Sequence, residues 1–194
     1  GWQMLCGRRC PALIWSRSQS MDDARFPKIT YFLMLVAGLL QWVRFYPLLP
    51  ERMASHFGYD GRPNGWQPKD GFFLIMLLAV GLTFGMSFLV PRRIAARPDN
   101  RINLPHKAYW LAPARREETF RFITAQMAWF GCAVLFIVLF GTYLAIRANL
   151  SPENHFDNET MIKVLAVFLL VTVLWIVHFL RHFYNPPADS STHR

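Results

Sequence analysis

The sequence predicts an all-α membrane protein, an antiparallel bundle of four transmembrane helices with both termini in the cytoplasm. Three observations lead there. Four apolar runs, 29–49, 71–90, 122–146 and 161–179, each approach the roughly 20 residues that cross a hydrocarbon core of about 30 Å. The segments between them are too short for a separate soluble domain. Basic residues alternate between crowded and sparse loops. The first arm carries Arg8, Arg9, Arg17, Arg25 and Lys28, the second loop Arg92, Arg93, Arg97, Arg101, Lys107, Arg115, Arg116 and Arg121, and the tail Arg181 and Arg194. The first and third loops with their helix ends hold only Arg44, Arg52, Arg62, Lys69, Arg147 and Lys163. The distribution is fifteen against six, and the positive-inside rule puts the richer side in the cytoplasm.

The N-terminal arm, 1–27, begins at Gly1 and differs in composition from the rest of the chain. Residues 1–20 are expected to be an extension that is not native, with Met21 the start, because Met21-Asp22-Asp23 leads directly into the first span. Ala12 to Trp15 is too short an apolar core for a signal peptide, which needs about 7 to 15 residues. Cys6, Cys10 and Cys132 fall outside the outer loops and build no disulfide framework there.

The four-span domain occupies 28–184. Its first span breaks near the outer end with Gln41 and Arg44, and Arg44 can reach the headgroups alone or pair with Glu51 or Asp70. The second span lacks ionisable residues and carries Gly81 and Gly85 in GxxxG spacing, which predicts a close helix contact, with another span of the same chain ahead of a second copy. In the inner loop, Tyr109 and Trp110 suggest an interfacial segment. Pro113 followed by Glu117 and Glu118 is initiation chemistry for the third helix. The fourth span places His178 and His182 four apart at its inner end. The tail, 185–194, with Pro186 and Pro187, is expected to be disordered.

The net charge of +9 would suggest nucleic acid in a soluble protein, but here it follows the loops, so no nucleic-acid partner is expected. The implied partners are the bilayer itself, anionic headgroups at the basic inner loop, and an envelope peptide or membrane protein. No Walker loop, GxGxxG, Gx-Ser-xG or HExxH is present, and Ser55 beside His56 do not face each other in any regular geometry. No cofactor is implied.

The densest cluster of specific residue types is the first outer loop, 47–70. Asp60-Gly61 and Asn64-Gly65 supply tight turns with φ > 0, and Pro50 and Pro63 stiffen the approach, so the loop should be compact and ordered. Phe57, Tyr59 and Trp66 are expected to hold it against the helix ends or the membrane. His56, Asp60, Arg62 and Trp66 form the expected binding surface, with Pro50, Gly58, Gly61, Pro63 and Gly65 shaping it. As a metal site, His56 and Asp60 provide two ligands, fewer than the usual three or four, and His155 could join them if the outer loops meet. His178 and His182, with His106, are the other histidine group, and HxxxH without a further ligand in register is weak.

Leu49-Pro50, His56-Phe57, Gly58 and then Pro63 and Trp66, placed between a first and a second span, resemble the bacterial membrane family called domain of unknown function 1648. Its module also opens the SdpI-like immunity proteins. Asn103-Leu104-Pro105, Tyr109-Trp110 and Arg115-Arg116-Glu117-Glu118-Thr119 are similar to the inner loop of its stand-alone members. The resemblance covers about residues 28–147 and implies a bacterial membrane protein with no established enzyme activity; the expected location is the bacterial inner membrane. The expected function is non-enzymatic binding or sensing of an envelope ligand by the outer loop. The alternatives are a small-solute transporter or transporter subunit, with Gln41, Arg44 and Gln126 lining its route, and a membrane-embedded metalloenzyme.

Overall fold

The computed structural model describes residues 25–187. The expected start at Met21, Cys6 and Cys10, and the tail beyond 187 lie outside the described residues. In chain order the elements are α1 (Arg25–Phe45), a 3₁₀ turn (Tyr46–Leu48), β1 (Arg52–Phe57), β2 (Pro63–Pro68), α2 (Lys69–Phe84), a π turn (Gly85–Leu89), α3 (Val90–Ala95), α4 (Lys107–Trp110), α5 (Arg116–Leu150) and α6 (Asn158–Tyr184); a second 3₁₀ turn, Asp99–Arg101, precedes α4. Four helical stretches are long and apolar enough to cross a membrane: Arg25–Leu48, Lys69–Ala95, Arg116–Leu150 and Asn158–Tyr184. Among the described residues this is a multi-pass helical membrane protein with one departure from all-α, the hairpin β1–β2.

The helices surround one member. α1, α2, the π turn, α3, α6 and β1 all pack on α5. In its most apolar window α5 is 39% buried, whereas the corresponding window of α6 is 0% buried. α6 is therefore a flank on α5, not an equal fourth wall. It is held by rings, with Phe130 and Phe122 of α5 stacked on Trp175 and Phe179 at 4.7 and 6.2 Å. Trp175 also donates to the Gln126 side chain at 2.9 Å.

The second helix runs past the sequence estimate of its end. Proline inside a helix removes an amide donor and crowds the carbonyl four residues back. Here the π turn directly before Val90 widens the helix by one residue, so Pro91 sits buried at the first turn of α3 and the helix continues. The intramolecular GxxxG contact is not formed. A Cβ on Gly81 or Gly85 would meet nothing within 4 Å. The close approach is instead at Gly131 of α5, where a Cβ would overlap the Ser87 hydroxyl, and at Gly38 of α1, where it would lie 2.7 Å from Leu139. Ser87 is available for that contact because its hydroxyl donates back to the Thr83 carbonyl at 2.6 Å, and Thr83 shares a 2.8 Å hydrogen bond with the buried Tyr31 hydroxyl. Together these satisfy the polar atoms at the α1–α2–α5 junction, as an apolar surround requires.

Three apolar clusters follow α5 along its length. Leu49, Met53, Phe72, Phe73, Ala145 and Ile146 lie beneath the hairpin. Tyr31, Cys132 and Leu135 lie in the middle. Ile102, Leu111 and Phe120 hold the second loop at the other end.

Candidate functional site

The hairpin end begins with strand chemistry that the sequence does not advertise. β1 and β2 pair antiparallel with Arg52 opposite Pro68, Met53 opposite Gln67, Ala54 opposite Trp66, His56 opposite Gly65 and Phe57 opposite Pro63. The register slips on both sides of His56. Such bulges bend and twist a strand and re-aim its side chains. Prolines at the two ends of β2 remove amide donors where a strand could otherwise continue.

The connection is closed by Gly58 N–H donating to the Arg62 carbonyl at 2.8 Å and Gly61 N–H to the Gly58 carbonyl at 3.0 Å. Gly61 has φ +76°, which favours glycine. Asp60 accepts from Arg62 N–H at 3.1 Å and lies 3.9 Å from the Arg62 guanidinium. The Asn64-Gly65 expectation is corrected. Gly65 is inside β2 without positive φ, and glycine is required there because a Cβ would fall 2.9 Å from the His56 ring.

Two amides from distant helices fasten this hairpin. Asn149, buried near the end of α5, accepts from Ala54 N–H at 2.7 Å and donates to the Ala54 carbonyl at 2.9 Å. It satisfies the outer edge of β1 as a third strand would. Asn158, the first residue of α6, donates to the Gly58 and Tyr59 carbonyls at 2.8 Å each. Beside it, Phe156 N–H donates to the Gly61 carbonyl at 2.9 Å, and its ring stacks on Phe57 at 4.8 Å. The loops 49–68 and 151–157 therefore meet. Asp157 caps α6, and hydrogen bonds from the side chain and backbone of Thr160 hold its carboxyl below the usual range.

The expected site residues divide into separate groups. Asp60 and Arg62 form an exposed pair at the turn. Trp66 is 46% exposed on β2, and Tyr59 is fully exposed. Of the three aromatics, Phe57 is the one stacked on the neighbouring loop, against Phe156. His56 lines a cavity of about 320 Å³ under the hairpin that Asp60, Arg62 and Trp66 do not reach. His155 packs against Gly61, with Cε1 2.6 Å from where a Cβ would be. Among the described residues no three His, Cys, Asp or Glu gather to hold a metal ion, so neither the His56, Asp60 and His155 set nor the set of His178, His182 and His106 forms one.

At the opposite end, His182 lies between Trp110 and Phe122, with ring centroids 4.7 and 3.9 Å away. Trp110 is buried within the protein, its indole N–H donating to the Phe183 carbonyl at 3.1 Å. Arg44 pairs with neither Glu51, which binds Lys69 at 2.8 Å, nor Asp70, which accepts from the Tyr46 hydroxyl. Its guanidinium lies over Phe45. Gln41 reaches the Leu139 carbonyl at 3.4 Å and Gln126 meets Trp175, so neither glutamine bonds to the other or to Arg44.

This geometry coincides with a known segment. Residues 33–80 match the family model of the domain of unknown function 1648. The matched stretch holds most of α1, the whole hairpin and α2 as far as Val80, so the fastenings at Asn149 and Asn158 come from outside it. No curated protein and no solved structure matches the chain.

Proposed function

We propose that the protein is a non-enzymatic component of a bacterial inner membrane that displays the hairpin on the extracytoplasmic side as a docking surface for an envelope peptide or membrane-protein partner. Both termini and the basic loop are then cytoplasmic, with the basic residues facing anionic headgroups. The observation that carries this reading is the division of labour in the hairpin: its backbone is held by Asn149, Asn158 and Phe156, while Tyr59, Asp60, Arg62 and Trp66 stay exposed on that fixed frame. His56 borders the same surface. A rigid frame with exposed aromatic and arginine side chains loses little conformational entropy on binding and carries the residue types that dominate interfaces. The transporter alternative lacks comparable support, because Gln41, Arg44 and Gln126 are engaged separately.

Two measurements test the reading. Single cysteines at Ser151 and Asn100 report sidedness: the first should react with an impermeant thiol reagent from outside, and the second only after lysis. In a deletion strain, Arg62→Ala combined with Trp66→Ala should reach normal membrane abundance yet fail to restore the phenotype. Full restoration by that variant would remove the docking surface from consideration.

A further inference from the structure

We infer that the cavity beneath the hairpin is a binding site for a single-chain, uncharged amphiphile entering from the adjoining bilayer leaflet. Such a site requires that the helices cross the membrane and shares only His56 with the docking surface, so either can fail alone. The cavity holds about 320 Å³, at the small end for ligand pockets and large enough for one chain segment. Its lining changes character with depth. Ser55, His56 and Asn158 stand at the hairpin, whereas Phe72 and Met76 of α2 and Gly141 of α5 line its deeper part together with Thr142, whose hydroxyl is already engaged by the Val138 carbonyl at 2.7 Å and the Met76 sulfur at 3.1 Å.

The depth of that part follows from helix geometry. Met76 is seven residues into α2 and Gly141 nine residues before the end of α5, which at 1.5 Å per residue places them roughly 10 to 14 Å below the helix ends. One cavity thus joins the polar hairpin to hydrocarbon depth. No Lys, Arg, Asp or Glu lines it, so a charged headgroup drawn inside would lose water without gaining a partner. Hydroxyl, imidazole and amide groups suit a neutral headgroup that donates and accepts hydrogen bonds. At that depth the wall comes from α2 and α5, while α6, packed on α5, contributes Asn158 at the hairpin and lays the Met161 methyl beside Gly141.

The test uses the full-length chain in phosphatidylcholine vesicles with a diazirine-bearing monoacylglycerol as probe. Photolysis should label peptides holding Phe72, Met76 and Phe156 about tenfold above the lipid-facing α6 peptide around Val173, and excess plain monoacylglycerol should abolish the difference. Gly141→Leu, which adds bulk to the α5 wall of the cavity beside the Met161 methyl, should remove labelling there and leave the α6 level around Val173 unchanged. If Gly141→Leu does not fold, the competition on the unaltered chain decides. Even labelling along all helices, or label that excess monoacylglycerol does not displace, overturns the site. Equal displacement by an anionic lysophosphatidylglycerol overturns the uncharged class, and stronger displacement by an apolar peptide overturns the amphiphile.

Discussion

The loops at the two ends of α5, 49–68 and 96–115, are attached to the helices by different chemistry. At the hairpin end the fasteners to α5 and α6 are neutral amides, Asn149 and Asn158, bonded to backbone, with one ion pair, Glu51 and Lys69 at 2.8 Å, at the base of α2. At the basic end the fastener is itself a cation: Arg116 donates to the Asp99 carboxylate at 2.9 Å and to the Ala95 and Arg97 carbonyls at 2.9 and 3.1 Å. Arg115 lies over the Tyr109 ring at 3.9 Å, and Thr119 donates to the Trp110 carbonyl. The basic loop, richer in charge, thus commits conspicuous charges to its own structure, while the hairpin leaves Asp60 and Arg62 outward. Charge in the sequence marks an anchor at one end and an exposed ion pair at the other.

Removing the hairpin's turn should break the contrast most severely. Gly61→Val forces a β-branched residue into φ +76° and against the Phe156 carbonyl, 2.6 Å from the Cβ position. Strain and the displaced hydrogen bond together should cost about 3 to 4 kcal/mol, read as a lower melting temperature in detergent and reduced membrane abundance. Next comes Asn149→Leu, which strands the buried Ala54 amide and carbonyl; about 2 to 3 kcal/mol should be lost in the same melting experiment. Arg116→Ala should cost about 1 kcal/mol, because its charge-assisted bonds are partly screened by solvent. Arg116→Lys should recover only part of that, since a single ammonium cannot reproduce a planar fork.

Smaller effects sharpen the other half of the comparison. Asp60→Ala and Arg62→Ala should each change stability by less than about 0.5 kcal/mol, as exposed groups do. If Asp60→Ala melts as low as Gly61→Val, Asp60 belongs to the scaffold and the exposed-surface reading falls. The mildest effect is that of pH on the start of α6. Asp157 titrates below its ordinary value when folded, so its capping contribution is complete above the unfolded carboxylate range and is lost as pH falls through the folded value. Amide exchange at Thr160 should accelerate, relative to its intrinsic rate, only in that acidic window, and Asp157→Asn should flatten the response.

The spans are legible in the sequence because crossing a bilayer is a local property, written in some 20 consecutive apolar residues. The hairpin is not, because its register depends on a partner 95 residues away: Asn149 looks like an ordinary polar residue at the end of an apolar run until Ala54 lies beside it. Glycines mislead in the same manner. Gly81-x-x-x-Gly85 has the spacing of a contact but faces open space, whereas lone Gly131 and Gly38 carry the close approaches, since what a glycine meets is decided by another helix. Gly61 is readable in advance because Asp-Gly turn chemistry is local. Composition alone groups His56 with Trp66, but does not tell that His56, flanked by register slips, also lies against Gly65 and lines the cavity beneath the hairpin.

The Asn149 fastening also sets a schedule for biogenesis. Residues 52–68 leave the ribosome well before Asn149, and at about 5 to 20 residues per second the 95-residue lag to Ala54's partner amounts to roughly 5 to 20 s. During that interval the edge of β1 has no intramolecular cap. The nascent chain carries an unsealed strand, open to a chaperone or a protease, until the third span arrives to close it.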